Sequence, residues 1–253
     1  MIKKALLYVA ITVAFASIKL VAQPLEKSRL SSEFSVKLFV DFHLDSGSRF
    51  LGGFSVKNSE YNGTFLDEAL LGYEYQFKGR WSAGFLQRLY RNSRFDTHAS
   101  QLFLRHGGHI GSLFFDKRLS YEYRYSEQNA EGNPLSLFVS LGKSFQVKGL
   151  VFFTALSYEL SQFTALESSA DQRRINKTRL RYDLVWVSNN GFQAGLYARK
   201  ETRYFFAQEQ YDEEGNLIKS YRKLNLISPQ FGVSLRYIFN LDNRKETIFN
   251  YID

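Results

Sequence analysis

Histidines that lie close to carboxylates are the residues of this sequence best suited to hydrolytic chemistry. His43 lies between Asp41 and Asp45, and His98 follows Asp96 by two positions. A histidine oriented by a carboxylate can act as a general base toward water or a hydroxyl nucleophile. Each is a lone histidine in a polar segment, outside any recognisable catalytic motif. We therefore predict that the chain is not an enzyme and has no catalytic residues, and we keep a hydrolase as an alternative.

A second pair of histidines could bind a metal ion. His106 and His109 flank Gly107-Gly108, which has the composition of a tight turn, so two imidazoles could meet across it. A protein zinc site uses three or four such ligands. The neighbouring sequence offers no third ligand. We predict no metal site and no cofactor.

The largest set of chemically capable residues consists of arginines and carboxylates that alternate with apolar residues. Period-two alternation places such residues on one face of a strand. Inside a narrow barrel they would pair with one another, because a buried charge without a partner is costly. The predicted outcome is a polar core that plugs the lumen, and the alternative is a weakly anion-selective pore. The set comprises Glu74, Arg88, Arg105, Asp116, Arg118, Glu122, Arg124, Arg179, Arg181, Asp183, Arg199, Glu201 and Arg203.

The elements that must position these residues are β-strands separated by breaks of alternating length. The short breaks are Lys78-Gly79-Arg80, Gly107-Gly108, Lys148-Gly149 and Asn189-Asn190-Gly191, and the long ones include residues 126–133, 164–173 and 208–216. We predict ten strands, with eight or twelve as alternatives because residues 45–63 could contain a hairpin. The predicted strands cover residues 33–44, 64–77, 81–91, 97–106, 109–125, 135–147, 150–163, 175–188, 192–207 and 217–239, with a bulge near Pro229.

Short and long breaks in alternation predict an all-β, up-and-down antiparallel transmembrane barrel in a bacterial outer membrane. The aromatic fraction of 17% and the mean hydropathy of −0.30 are compatible with strands that have one lipid-facing and one polar face. Ten strands would place the N-terminus, the tight turns and the tail after Phe239 together on the periplasmic side. The net charge of +8 is scattered and contains no basic run, so we predict no nucleic-acid partner.

The N-terminus has the pattern of a secretory signal. Lys3-Lys4 precedes an apolar run over residues 5–18, which is too short for a spanning helix. We predict a signal peptide over residues 1–22, a periplasmic segment over 23–32, the barrel over 33–239 and a periplasmic tail over 240–253. The sequence has no cysteine, and so no lipid-attachment site or disulfide.

Two segments resemble a known group of proteins. The segment QLFLRHGGHIGSLFFDKRLSYEYR, which ends at Arg124, and the later Arg179-Leu180-Arg181-Tyr182 resemble a widespread group of uncharacterised small outer-membrane β-barrel proteins. Members typically have a hairpin followed by a strand with inward Arg, Glu and Arg, and later an Arg-x-Arg strand. Here these positions are Arg118, Glu122, Arg124, Arg179 and Arg181. The resemblance implies the fold and the location, and the group has no established activity.

The sequence therefore predicts an exported protein of the outer membrane that acts as a structural or accessory subunit of an envelope complex. Its partners would be outer-membrane lipid and other envelope proteins. Lys117 falls on an outward strand face, and Phe249 and Tyr251 lie in the tail, so these three are candidate partner contacts. The alternatives are a small anion-preferring pore and an outer-membrane hydrolase with a loop-end His–Asp site.

Overall fold

The structure is a computed structural model, and it describes residues 26–29, 31–44, 47–59, 63–77, 80–91, 96–125, 133–163, 175, 177–207, 210–211, 217–219 and 222–240. The predicted signal peptide and the tail with Phe249 and Tyr251 lie outside the described residues. Across the described part of the chain, no helix is long and apolar enough to cross a membrane.

The described elements are all strands. They are β1 (Glu26–Arg29), β2 (Glu33–His43), β3 (Ser48–Ser59), β4 (Gly63–Phe77), β5 (Trp81–Arg91), β6 (Asp96–Ile110), β7 (Leu113–Arg124), β8 (Pro134–Val147), β9 (Leu150–Phe163), β10 (Lys177–Val187), β11 (Phe192–Ala207), β12 (Gln210–Tyr211), β13 (Leu217–Lys219) and β14 (Arg222–Asn240).

The long strands form a closed barrel of eleven strands in up-and-down order, β2 to β11 and then β14. Neighbours along the chain pair antiparallel. The barrel closes where β14 pairs with β2 in parallel, from Gln230 opposite Glu33 to Asn240 opposite His43. The predicted all-β barrel is confirmed, and the predicted count of ten strands is wrong.

The additional strand is β3, which occupies most of the segment expected to be a long loop. Along it Phe50, Phe54 and Val56 alternate with Arg49 and Leu51, but the glycines at 52 and 53 obscure the pattern. A tight turn precedes β3: Leu44 donates a backbone hydrogen bond to Ser48, and Gly47 has a φ of 76°. A Cβ on Gly53 would overlap the Phe39 ring, so its lack of a side chain has a packing role.

Because the barrel has an odd number of strands, β2 begins at one end of the barrel and β14 finishes at the other. The turns before β3, β5, β7, β9 and β11 lie at one end of the barrel, called here the turn end, together with the last residue of β14. The connections before β4, β6, β8, β10 and β14 lie at the other end, called here the loop end. Because β2 starts at the loop end, the described residues 31–32 before it do not share an end with the tight turns, and that expectation is corrected.

Two local predictions are also corrected. The turn expected at Gly107-Gly108 lies at Gly111-Ser112, because β6 continues to Ile110 and its glycines pair with Asp116 and Phe115. The ladder between β14 and β11 passes Pro229 without a register shift. The irregularity near Pro229 lies on the other side of β14, between the pairing of Ile227 with Arg29 and that of Gln230 with Glu33.

The barrel wall separates side chains by chemistry. Outward positions are exposed and largely apolar: Leu71, Leu102 and Leu196 retain 71%, 60% and 61% of their accessible surface. Inward positions include most of the buried charges, such as Arg49, Glu74 and Arg105. Period-two alternation along every strand produces this division.

Candidate functional site in the barrel interior

The central group of the interior is the Glu74 carboxylate on β4. Arg49 on β3 donates to it through both Nε, at 2.8 Å, and Nη2, and Ser82 on β5 donates its hydroxyl to the other carboxylate oxygen. The Nη1 atom of Arg49 also reaches Asp41 on β2 at 3.3 Å. Glu74, Arg49 and Asp41 are nearly inaccessible to solvent, so these contacts replace water as their hydrogen-bonding environment.

Further pairs extend this cluster around the barrel. Arg105 on β6 forms a bidentate pair with Asp116 on β7, at 2.8 and 2.5 Å, and its Nη1 lies 3.8 Å from Glu74. On the other side, Arg236 on β14 lies 3.7 Å from Asp41. The resulting turn-side network therefore runs from β14 through β2 to β7. Its ionised members are Asp41, Arg49, Glu74, Arg105, Asp116 and Arg236, so cations and carboxylates balance.

A second cluster lies nearer the loop end of β4, β5 and β7. The Arg88 guanidinium is 3.0 Å from Glu68 and donates to the Tyr90 hydroxyl at 3.0 Å. That hydroxyl donates to Glu122 at 2.7 Å, and Arg124 donates to the other Glu122 oxygen at 2.7 Å. The phenol thus links two ion pairs that would otherwise be separate.

A third cluster lies at the loop end of β9, β10 and β11. Arg179 donates to Glu201 at 2.7 Å and to Glu159 at 3.3 Å, so one guanidinium bridges strands on both sides of its own. Arg203 donates to Glu201 at 2.6 Å, but the Arg203 side chain is 62% exposed to solvent. Arg203 therefore marks the solvent boundary of the interior on this side.

Polar contacts also cross the parallel seam where the barrel closes. Gln230 on β14 donates to Glu33 on β2 at 2.6 Å and accepts from Arg199 at 2.6 Å. Lys57 lies 3.5 Å from Glu33 and 2.7 Å from Asp67. These side-chain bonds join β11, β14, β2, β3 and β4, and so stabilise the closure in addition to its backbone ladder.

Aromatic rings complete the packing between the charged clusters. Arg181 donates twice to Asp183, at 2.9 and 2.7 Å, and its guanidinium lies 4.2 Å from the Tyr197 ring centre. The Tyr197 hydroxyl hydrogen-bonds the Ser35 hydroxyl over Gly232 of the intervening strand β14. Arg118 lies 5.0 Å from the Phe138 ring centre. A cation above a ring gains electrostatic stabilisation, and more so away from water.

The turn-end interior of β7 to β10 is apolar instead of charged. Phe153, Ala155 and Val185 are buried there, with Phe114 and Val187 packed against them. The Phe114 and Phe153 rings stack with centroids 4.3 Å apart. Gly142 lies beneath Phe114, where a Cβ would overlap the ring, so the glycine creates the space that the ring fills. This set is called here the aromatic sector.

The structure places the predicted charge set on the inner face, but with some partners that the sequence did not suggest. Arg199 bonds the Gln230 amide, and Arg181 pairs with Asp183 on its own strand. Arg49 and Lys57 were missed because they lie on β3, which was expected to be a loop. Alternation of Phe50, Phe54 and Val56 with polar or small residues was the available signal.

The histidine predictions require correction. His43 ends β2 and therefore lies at the turn end, not the loop end, since β3 follows it after a tight turn. His106 points outward, with its ring 4.6 Å from Trp81 and 5.6 Å from Phe115. His106 and His109 are on one continuous strand, so they do not face each other across a turn. Within the described ranges, no group of three or more metal-ligating side chains occurs.

Lys117 lies on the outer wall, as its position in the alternation indicated. Both ladders of β7 pass it without a register shift, so a bulge does not explain its direction. Its ammonium lies 5.1 Å from the Phe115 ring centre. The nearby strand ends, Ser144 to Leu150 and His109 to Leu113, are exposed on both faces. Lys117 thus lies close to the turn-end rim, where an outward cation is inexpensive if the wall faces lipid.

No protein-family model matches this chain, and no curated protein matches it.

Proposed function

We propose that this chain is an integral β-barrel of a bacterial outer membrane, with a closed lumen, that acts as a structural or accessory subunit of the envelope. The observation that supports this most is the inverted distribution of polarity. Charged residues such as Glu74 and Arg105 are buried inside, while large apolar side chains cover the outside. A water-soluble barrel rarely exposes such a continuous apolar wall, whereas a membrane barrel requires it.

The interior supports closure rather than conduction. About eight strands leave room only for side chains, and sixteen or more leave a channel. Eleven strands are close to the lower limit, and here inward arginines and carboxylates are hydrogen-bonded from strand to strand. The turn-side network and the aromatic sector together line most of the turn-end half of the inner wall. We therefore propose that the lumen is a polar and aromatic core, which leaves the surfaces as the functional regions.

Membrane integration is tested by extraction and by gel mobility. We expect the protein to stay with outer-membrane fragments after urea or alkaline carbonate washing. In sodium dodecyl sulfate without heating it should migrate differently from the heated sample, because closed barrels resist unfolding by the detergent. A protein that is monomeric and soluble without detergent would refute the proposal.

Orientation can be tested because the chain has no cysteine of its own. In bacterial barrels the short turns face the periplasm, so we propose that the turn end does so here. Tyr125→Cys and Ser32→Cys should react with an impermeant maleimide on intact cells, whereas Lys148→Cys should react only after permeabilisation. If Ser32→Cys instead behaves like Lys148→Cys, the chain enters the barrel from the turn end, and the eleven-strand order is wrong.

The accessory role is tested by affinity purification from native membranes in a mild detergent. We expect reproducible co-purifying envelope proteins, lost when the residues after Phe239 are deleted, because Phe249 and Tyr251 are the candidate contacts there. A barrel that purifies alone, with or without its tail, would remove the accessory role. Peptidase or lipase activity abolished by substitution of His43 or His98 would favour a hydrolase instead.

A further inference from the structure

The outer wall of β9, β10, β11 and β14 contains a groove. Its volume is about 550 Å³, and its lining is predominantly apolar. The floor is Ala198 on β11, which pairs with Tyr182 on β10 and Phe231 on β14. Directly paired residues on one face of a sheet lie about 5 Å apart. A methyl group between two rings therefore leaves a trough between them.

The groove is open and its walls are unpacked. Tyr182 retains 49% of its accessible surface and Phe231 retains 52%, while Leu156, beside Tyr182, retains 54%. Covering such surface is favourable by roughly 25 cal/mol per Å² in water. In a bilayer the gain in free energy comes from close contact with the groove walls. The trough must be filled by a group that is narrow and flexible. An acyl chain has that shape.

One outward lysine lies in the lining of the groove. Lys200 pairs with Leu180 and Pro229, one outward position above Ala198. Along β11 the outward residues Phe192, Ala194, Leu196 and Ala198 are apolar, so Lys200 is the first outward charge from the turn end, and Thr202 and Tyr204 follow it toward the loop end. Within the part of the chain that the structure describes, no carboxylate pairs with its ammonium. The lysine stem can follow the wall while its charge reaches the head-group level.

We infer that this groove binds one acyl chain of a phosphorylated lipid in the loop-side leaflet, with the lipid phosphate against the Lys200 ammonium. The proposal rests on the proposed membrane location. Apolar walls select the chain, and the Lys200 ammonium, whose stem can extend toward the loop end, selects an anionic head group. Lys117 lies near the turn-end rim of β7, so it cannot serve the same leaflet.

Native mass spectrometry of the full-length protein, titrated with diphosphoryl lipid A in detergent, tests the site. Lys200→Gln should weaken binding about fivefold, the effect expected of one lysine near a charged lipid surface. Ala198→Phe fills the floor and should weaken it about tenfold or more, with Ala198→Leu as a milder filler. Ala83→Phe is the matched control, because Ala83 is also an outward alanine, paired with Tyr75 and Leu104 on other strands. Lys143→Gln is the matched control for charge.

The site is overturned if Lys200→Gln and Ala198→Phe bind as the wild type does, or if both controls weaken binding equally. It is also overturned if neutral phosphatidylethanolamine binds as tightly as lipid A, because the cation would then contribute nothing. Each variant is first shown to be folded by its heat-modifiable mobility. Flotation of the wild type with liposomes separates the two proposals: failure to float refutes membrane integration, whereas flotation without site-specific lipid binding refutes only the groove.

Discussion

Two regions of the turn-end interior are packed by different kinds of interaction. From β14 through β2 to β7, the turn-side network joins neighbouring strands by charge-assisted hydrogen bonds such as Arg49–Glu74 and Arg105–Asp116. From β7 to β10, the aromatic sector fills the space with Phe114, Phe153 and Val185. Apolar packing tolerates small shifts, whereas a buried ion pair requires its partner at a defined distance. We therefore expect the network to constrain strand register more tightly than the aromatic sector does.

The largest expected effect comes from removal of the central carboxylate of the network. Glu74→Ala leaves Arg49 and Arg105 without one of their counter-charges and should lower the free energy of unfolding by about 3–5 kcal/mol. Denaturant unfolding of the refolded barrel in detergent measures it. Glu74→Gln, which keeps the volume and some of the hydrogen bonds, should cost less. A loss below about 1 kcal/mol for Glu74→Ala would show that water or another group replaces the carboxylate.

Truncation of a side chain in the aromatic sector should give the next largest loss in the free energy of unfolding. Phe153→Ala removes a fully buried ring that stacks on Phe114, and we expect a loss of about 3 kcal/mol from transfer and cavity effects. Phe153→Leu, which retains most of the volume, is the control and should cost clearly less. Equal losses for the two substitutions would mean that ring geometry, and not volume, determines stability in this sector.

Replacing a buried ion pair by apolar residues tests whether the network needs the charges themselves. Arg105→Met alone leaves Asp116 buried without its bidentate partner and should be strongly destabilising. The double variant with Asp116→Leu should recover most of that loss, to within about 2 kcal/mol of the wild type, because paired apolar residues can replace a buried ion pair. The remaining deficit reflects the contact of Arg105 with Glu74 at 3.8 Å. A double variant as unstable as the single one would show that the charges are needed in themselves.

The smallest effect is expected for an arginine–carboxylate pair that is exposed to solvent. Arg91 and Asp96 form a bidentate pair at 2.9 and 2.7 Å near the loop end, but both side chains are largely solvent-accessible. Exposed pairs contribute little, because water and salt screen them. Arg91→Ala should leave the unfolding midpoint unchanged at moderate salt. A clear shift would place this pair in a less accessible environment than the structure shows.

The sequence predicted the barrel, most strand positions and the inward charge set because all three depend on period-two alternation. It failed at β3, where Gly52, Gly53 and Ser55 weaken the hydrophobic signal although glycine is required beneath the Phe39 ring. That one omission changed the strand count, the end at which β2 starts and the position of His43. Partners such as Arg199 with Gln230 could not be predicted, because they depend on the stagger between strands and on the parallel seam.

The central claim, that the lumen is closed by its own side chains, is tested most directly by single-channel recording in planar lipid bilayers. The purified wild-type barrel should insert without conductance steps of the size seen for general porins. Large, stable, anion-selective steps that shrink in Arg181→Ala would contradict the claim and would instead support a small anion-preferring pore.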